Sequence, residues 1–216
     1  MRILNGTKVT EAPPGWRDAL AGRRVVIDLG AGDGRWAYET ARRDPPGVYI
    51  ALDPDAETLS EYAYRASRRP ARGGVANAHF VVASVELLPP ELDGVADVVR
   101  VNFPWGSLLR GLIEPQAGVL RALASLSKRG GRFELVLAYV PEHDTGAFAG
   151  QALPALDTSR IEALEGAYRA SGLDVEEYRS LTQDEALAVE STWGRRLLHA
   201  RPRPVWWLAG SVEAQG

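Results

Sequence analysis

No cysteine occurs among the 216 residues. That absence excludes a disulfide scaffold, cysteine-ligated zinc or iron–sulfur centres, and a thiol nucleophile. Histidine is scarce: His79, His143 and His199 are too few and too scattered to suggest a metal site, and no metal is expected. No apolar run approaches the ~20 residues that a membrane span needs. Met1 to Gly6 lacks the basic segment and apolar stretch of a secretory signal. A soluble, cytoplasmic protein with no membrane partner is therefore expected. Lysine is nearly missing too, since only Lys8 and Lys128 stand among 25 cationic residues. What remains is ordinary globular composition, 45% hydrophobic and 25% charged. The length fits one domain, 1–216, with a modest appendage, and is enough to bury a full core.

The net charge of −3 argues against a generic polyanion binder, but the average hides two basic islands. Glu61 to Gly74 carries Arg65, Arg68, Arg69 and Arg72 against one acid. Arg195 to Arg203 carries Arg195, Arg196, Arg201 and Arg203 with His199 and no acid. Two such islands on an acidic body suggest one anionic partner docking on one face. Solvated arginine-rich surface is the plainer reading of either island alone.

Strand and helix patterns alternate along the chain. Asn5-Gly6 between two short apolar stretches signals an N-terminal β-hairpin extension within 1–20. Strands are predicted at 24–29, 48–53, 78–83, 95–103, 132–140, 173–181 and 205–212. Helices are predicted at 35–43, 55–69, 115–127, 158–171 and 183–198, with shorter helical stretches at 16–20 and 108–111. The first strand is a continuous apolar run, as expected of a strand buried on both faces. Residues 141–157 are Pro/Gly-rich and read as a surface insertion. The fold class is α/β: a seven-stranded, mostly parallel, Rossmann-like sheet with helices on both faces.

The most informative stretch is Val26-Ile27-Asp28-Leu29-Gly30-Ala31-Gly32-Asp33-Gly34. Alternating glycines let the backbone turn sharply and let a ligand approach with no Cβ in the way. The turn opens a helix whose first amides are free. The nicotinamide fingerprint Gly-x-Gly-x-x-Gly fails, because Arg35 stands at the third glycine position. Asp28 and Asp33 load the turn with negative charge, which is wrong for a pyrophosphate and right for a cation. S-adenosylmethionine carries a sulfonium and an ammonium and no phosphate. Asp53, about 20 residues past the turn at the end of the second strand, is placed to accept from a ribose diol. Ala83-Ser84-Val85-Glu86 follows the third strand, where methyltransferases read the adenine; Glu86 reads equally well as a helix-capping acid.

Asn102-Phe103-Pro104-Trp105-Gly106-Ser107 ends the fourth strand. Amino-methyltransferases of adenine and cytosine place an Asn/Asp-Pro-Pro-aromatic motif there. The carbonyl before the second proline accepts from the base amine and the aromatic ring stacks on the base. Phe103 replaces the first proline, while Pro104 still restrains the residue before it. Ser191-Thr192-Trp193-Gly194-Arg195-Arg196 lies before the final strand, in an RNA-facing segment 182–204. Trp105 and Trp193 are candidates to clamp a flipped base, each stack worth ~1–3 kcal/mol. Packing of Trp193 on the sheet is the alternative. Trp206 and Trp207 read as structural.

Gly-Thr-Lys near the start, Asp-Leu-Gly-Ala-Gly-Asp-Gly, Ala-Leu-Asp-Pro, Arg-Pro-Ala-Arg-Gly-Gly, Phe-Pro-Trp-Gly-Ser-Leu-Leu and Ser-Thr-Trp-Gly-Arg-Arg-Leu occur in that order. Over nearly its whole length the chain resembles the aminoglycoside-resistance 16S rRNA methyltransferases that act on N1 of adenine 1408, the kanamycin–apramycin resistance type. The resemblance implies a class I methyltransferase using S-adenosylmethionine, partnered with the 30S ribosomal subunit and expected as a monomer. It implies a cofactor pocket of Asp28, Gly30, Gly32, Asp53, Ser84, Glu86, Pro104, Ser107 and Thr192. Trp105 and Trp193, with Phe103 and Pro104, would hold the target adenine. Arg65, Arg68, Arg69, Arg72, Arg196, Arg201 and Arg203 would grip rRNA phosphates. Pro202 and Pro204 leave the directions of Arg201 and Arg203 open. The residues alone also admit a methyltransferase of another nucleic acid or of a small molecule, or a non-catalytic cofactor- and RNA-binding module.

Overall fold

The computed structural model describes residues 1–144 and 153–213. Its strands are β1 (Arg2–Asn5), β2 (Lys8–Glu11), β3 (Val25–Leu29), β4 (Val48–Asp53), β5 (Ala78–Val82), β6 (Ala96–Asn102), β7 (Ser127–Ala138), β8 (Leu173–Ser180) and β9 (Val205–Val212). Its helices are α1 (Arg35–Arg43), α2 (Ala56–Ala66), α3 (Gly106–Ile113), α4 (Ala117–Leu126), α5 (Thr158–Arg169), α6 (Gln183–Leu187) and α7 (Thr192–Ala200). The described strands make one sheet in the order β2-β1-β5-β4-β3-β6-β7-β9-β8. The five central strands run parallel, and β9 lies antiparallel between β7 and β8.

Side-chain alternation along the strands sorts the core into two layers. Ile27 and Val99 point to the face covered by α3, α4 and α5, where the largest apolar cluster forms. Val26 and Val98 point to the other face, under α1 and α2. Further along that second face, Val136 and Ala138 carry Leu197 and Leu198 of α7. All five residues of β3 are buried, which is why its sequence is uninterrupted by polar groups other than Asp28. Asp55 caps α2 by accepting from the amides of Glu57 (2.9 Å) and Thr58 (3.2 Å). Pro70 opens the short 3₁₀ turn, Pro70–Arg72, that follows it.

Three expectations change. The hairpin is no separate extension: β1 pairs antiparallel with β5, Ile3 opposite Val81, so the sheet has nine strands rather than seven. The helix predicted at 183–198 is broken into α6 and α7, because Glu190 adopts a left-handed φ of 59° and Ser191 caps a new helix. Strand β7 begins at Ser127, directly after α4, and its first residues pair irregularly with β6. Part of the surface insertion, 145–152, lies outside the described residues. Its described flanks are mostly exposed and anchored at a few points: Leu153 and Leu156 are buried, Tyr139 donates to the Pro154 carbonyl, and Trp206 Nε1 donates to the Leu156 carbonyl at 3.1 Å.

Candidate active site

The carboxyl ends of β3, β4, β5 and β6 open onto one cavity of about 630 Å³. In open parallel sheets this end is where ligands bind. The turn after β3 is shaped by glycine. Gly30 and Gly34 both have φ above +70°, and an added Cβ would come 2.7 Å from Leu108 and from Phe80 respectively. Over Gly32 the space is open, and its amide donates to Asp53 Oδ2 at 2.9 Å. Asp53 Oδ1 accepts from the Asp55 amide at 2.9 Å. Asp53 is thereby fixed at the end of β4 with lone pairs to spare for the cavity, and burial raises its pKa.

Asp28 sits at the floor, 2% exposed. Burial pushes its carboxyl up to about 7. The Arg100 guanidinium and a hydrogen bond from Asn102 Nδ2 (2.9 Å) pull the other way, and Asp53 and Asp33 add to the rise. Arg100, the neighbour of Asp28 across β6, lies 4.6 Å over the Trp36 ring and pairs with Glu134 at 3.1 Å. At the rim Ser107 donates to Glu86, which holds the Glu86 pKa below its usual value despite some desolvation. Glu86 therefore belongs to the cavity wall rather than to a helix cap.

Every cofactor residue expected from the sequence lines this cavity: Asp28, Gly30, Gly32, Asp53, Ser84, Glu86, Pro104, Ser107 and Thr192. Trp105, Trp193, Phe103 and Arg196 line it too. Sequence reading missed Trp36 and the α2 residues Thr58 and Glu61. Two glycines before Trp36 and a capped start of α2 were the available signals for them. Asn102 Oδ1 and Thr192 Oγ1, buried oxygens of two residues that line this cavity, have no hydrogen-bond partner in the protein. A polar nucleoside with a cationic tail fits this lining: six carboxylates, two orphan oxygens and an open glycine. Among the described residues Arg196 is the one cation in the lining, so no cluster of positive charge stands ready for a phosphate. Among the described residues no group of histidines and carboxylates is arranged to hold a metal.

The aromatic pair differs from the simple clamp. Trp105 and Trp193 touch edge to face, with centroids 5.4 Å apart and planes at 72°. No base fits between two rings in contact, so an open sandwich is not the arrangement here. Phe103 also departs from expectation. It adopts φ 50°, and its side chain is 2% exposed, wedged beneath Gly194 of α7. Only its backbone is left to face a substrate.

The basic islands divide. Arg68, Arg69 and Arg72 are exposed beyond the end of α2. Arg65 pairs with Glu61 and stacks on Tyr62 at 4.8 Å. Arg196 and Arg201 are exposed on and just after α7. Arg203 is not: its side chain is 3% exposed and paired with Asp144 at 3.0 Å, so its charge holds the chain together instead of facing a partner.

Residues 2–212 match the family described as NpmA, 16S rRNA (adenine(1408)-N(1))-methyltransferase. A protein of that name from Escherichia coli is 34% identical over 219 residues, covering 99% of both chains. One from Streptoalloteichus tenebrarius is 34% identical over 216 residues, covering 99% of this chain and all of its own. Among solved structures, a mutant of the enzyme of that name from Catenulisporales acidiphilia, with cosubstrate S-adenosylmethionine, is 31% identical at a TM-score of 0.91, covering 99% of this chain and 97% of that one. The antibiotic-resistance methyltransferase Kmr is 37% identical at a TM-score of 0.84, with both chains fully covered.

Proposed function

This chain belongs to the 16S rRNA (adenine(1408)-N(1))-methyltransferase family, and from that premise we propose that it methylates N1 of adenine 1408 in the 30S subunit and so confers aminoglycoside resistance. The observation that carries the reading is the convergence of the whole expected cofactor set and both tryptophans on one cavity. Full-length identity to named rRNA methyltransferases leaves the small-molecule and non-catalytic alternatives without support.

When bound, S-adenosylmethionine supplies a methyl group made electrophilic by its sulfonium. Asp53 accepts from the ribose diol, Asp28 faces the ammonium, and Ser84 and Glu86 hold the adenine end. Pro104, Ser107 and Thr192 close the wall. Adenine N1 is a neutral lone pair, so no residue has to remove a proton before attack. The N1–methyl bond forms as the sulfur–methyl bond breaks, and positive charge passes to the base. The protein's contribution is positioning, with the face of Trp193 favouring the cation that develops on the base and Trp105 supporting that ring edge to face. The backbone carbonyl of Phe103 is offered to the exocyclic amine. Arg65, Arg68, Arg69, Arg72, Arg196 and Arg201 bind phosphates and set the register.

We read 1–216 as one domain, with the hairpin and segment 182–204 on the RNA side. No helix among the described residues is long and apolar enough to cross a membrane. An enzyme of ribosomal subunits works in the cytoplasm. Primer extension on treated 30S subunits tests the assignment, because a methyl on N1 blocks pairing. A stop at adenine 1408 is expected; its absence, or a stop elsewhere, overturns the reading.

A further inference from the structure

The turn between α6 and α7 is built in a way that the cofactor site alone does not require. Glu190 is one of two non-glycine residues with positive φ among those described; the other is Phe103. Its carboxylate is gripped by the Arg43 guanidinium through two bonds, Nη1 to Oε1 at 3.0 Å and Nη2 to Oε2 at 2.6 Å. The pair spans 147 residues and joins the last turn of α1 to the residue just before Ser191. The next three residues all face the cavity: Ser191, whose Oγ accepts from the Gly194 amide at 3.0 Å, Thr192 with its unpartnered Oγ1, and Trp193.

Arg43 is largely open to solvent and Glu190 partly so, with side-chain exposures of 58% and 30%. Exposed pairs contribute little to stability. A left-handed glutamate persists only where its surroundings over-determine it. A strained residue held by a bidentate pair of small energetic worth is therefore better explained by what it positions. Position matters here because Trp193 is itself 38% exposed and meets the Trp105 ring edge to face.

We propose that Arg43 and Glu190 are positioning residues: their pair anchors the segment Ser191–Trp193 over the cavity and thereby sets where the Trp193 ring meets the target base. The proposal rests on the reading of Trp193 as a base platform. It assigns no contact between either residue and substrate.

Three variants test it: Glu190→Gln, Arg43→Gln and the exchanged pair Arg43→Glu with Glu190→Arg. Each is compared with wild type in thermal melting, in steady-state methylation of 30S subunits, and in the Trp193 indole N–H resonance, which is identified by its loss in Trp193→Phe. Misplacing a reacting partner by about 1 Å can cost roughly a hundredfold, so kcat should fall about ten- to a hundredfold in both single variants while melting stays near wild type. The Trp193 resonance should shift and the exchanged pair should restore both readouts. A pure charge effect predicts the opposite for Glu190→Gln: removing an acid near RNA would lower KM and leave kcat unchanged, and that result overturns the proposal. An unmoved Trp193 resonance overturns it as well. If wild type transfers no methyl to 30S subunits, the assigned function fails, and the resonance still decides whether the pair places Trp193.

Discussion

At the scale of single residues, the carboxylates of the cavity divide the work by environment. Asp53 is held by two amides and keeps acceptor capacity for a diol. Asp53→Ala should weaken S-adenosylmethionine binding by about ten- to a hundredfold, since charge-assisted bonds are worth ~1.5–3 kcal/mol. Calorimetry on the folded variant checks this. Asp28 is different, because burial raises its pKa from 3.8 to about 7. Between those values the folded chain keeps a proton that the unfolded chain has lost. Its contribution to stability is therefore full below pH ~4 and is lost as pH rises through about 7. A cationic ligand group prefers the ionised carboxylate. Cofactor affinity should then be up to about tenfold weaker at pH 6 than at pH 8, and Asp28→Asn should bind weakly at both. The tryptophans should separate in the same assays. Trp193 is exposed, so Trp193→Ala should melt near wild type and lose methylation, with Trp193→Phe partly active. Trp105 packs against two core clusters, so Trp105→Ala should lose both stability and activity. Asp28, Asp53 and the tryptophans were readable in the sequence because strand ends and a glycine turn place them. The inward wedge of Phe103 was not, since its partner Gly194 lies about ninety residues away and only the fold joins them.

At the scale of elements, the join between the end of β6 and the start of α7 is the tightest in the site. A Cβ on Gly194 would come 2.4 Å from the Phe103 ring. Phe103 is in a left-handed conformation with little room to retreat. Gly194→Ala should therefore cost about 1–3 kcal/mol, the usual range for overpacking, and it should depress methylation more than cofactor affinity. Melting curves beside a methylation assay measure both. The five parallel strands were legible because each is an apolar run bounded by turn residues. Two features were not. The helical period continues across 183–198, and nothing local announces a left-handed Glu190; the break follows from Arg43, which belongs to another element. The hairpin was visible as a hairpin, but its bond to β5 is a long-range choice that alternation in four residues cannot express.

At the scale of the whole molecule, charge is arranged around the mouth of the cavity. Glu61 lines it beside Arg65 on one side, and Arg196 lines it from α7. Charge reversal at Arg68 or Arg196 should cut 30S affinity, flatten its salt dependence by about one unit of slope, and leave cofactor binding intact. The same change at Arg203 should destabilise the protein instead, because it strands buried Asp144 without its partner. Filter binding at several salt concentrations distinguishes the two classes. The sheet order has a further consequence, in the making of the protein. Because β9 lies between β7 and β8, β7 has only β6 beside it and β8 has no partner in the sheet until β9 arrives. The segment bearing Trp193 is also spliced between β8 and β9. During synthesis the growing chain thus carries two open strand edges, the kind that aggregate when left waiting, and it has no finished methyl-transfer site. A chain ending before Val205 should therefore precipitate rather than fold.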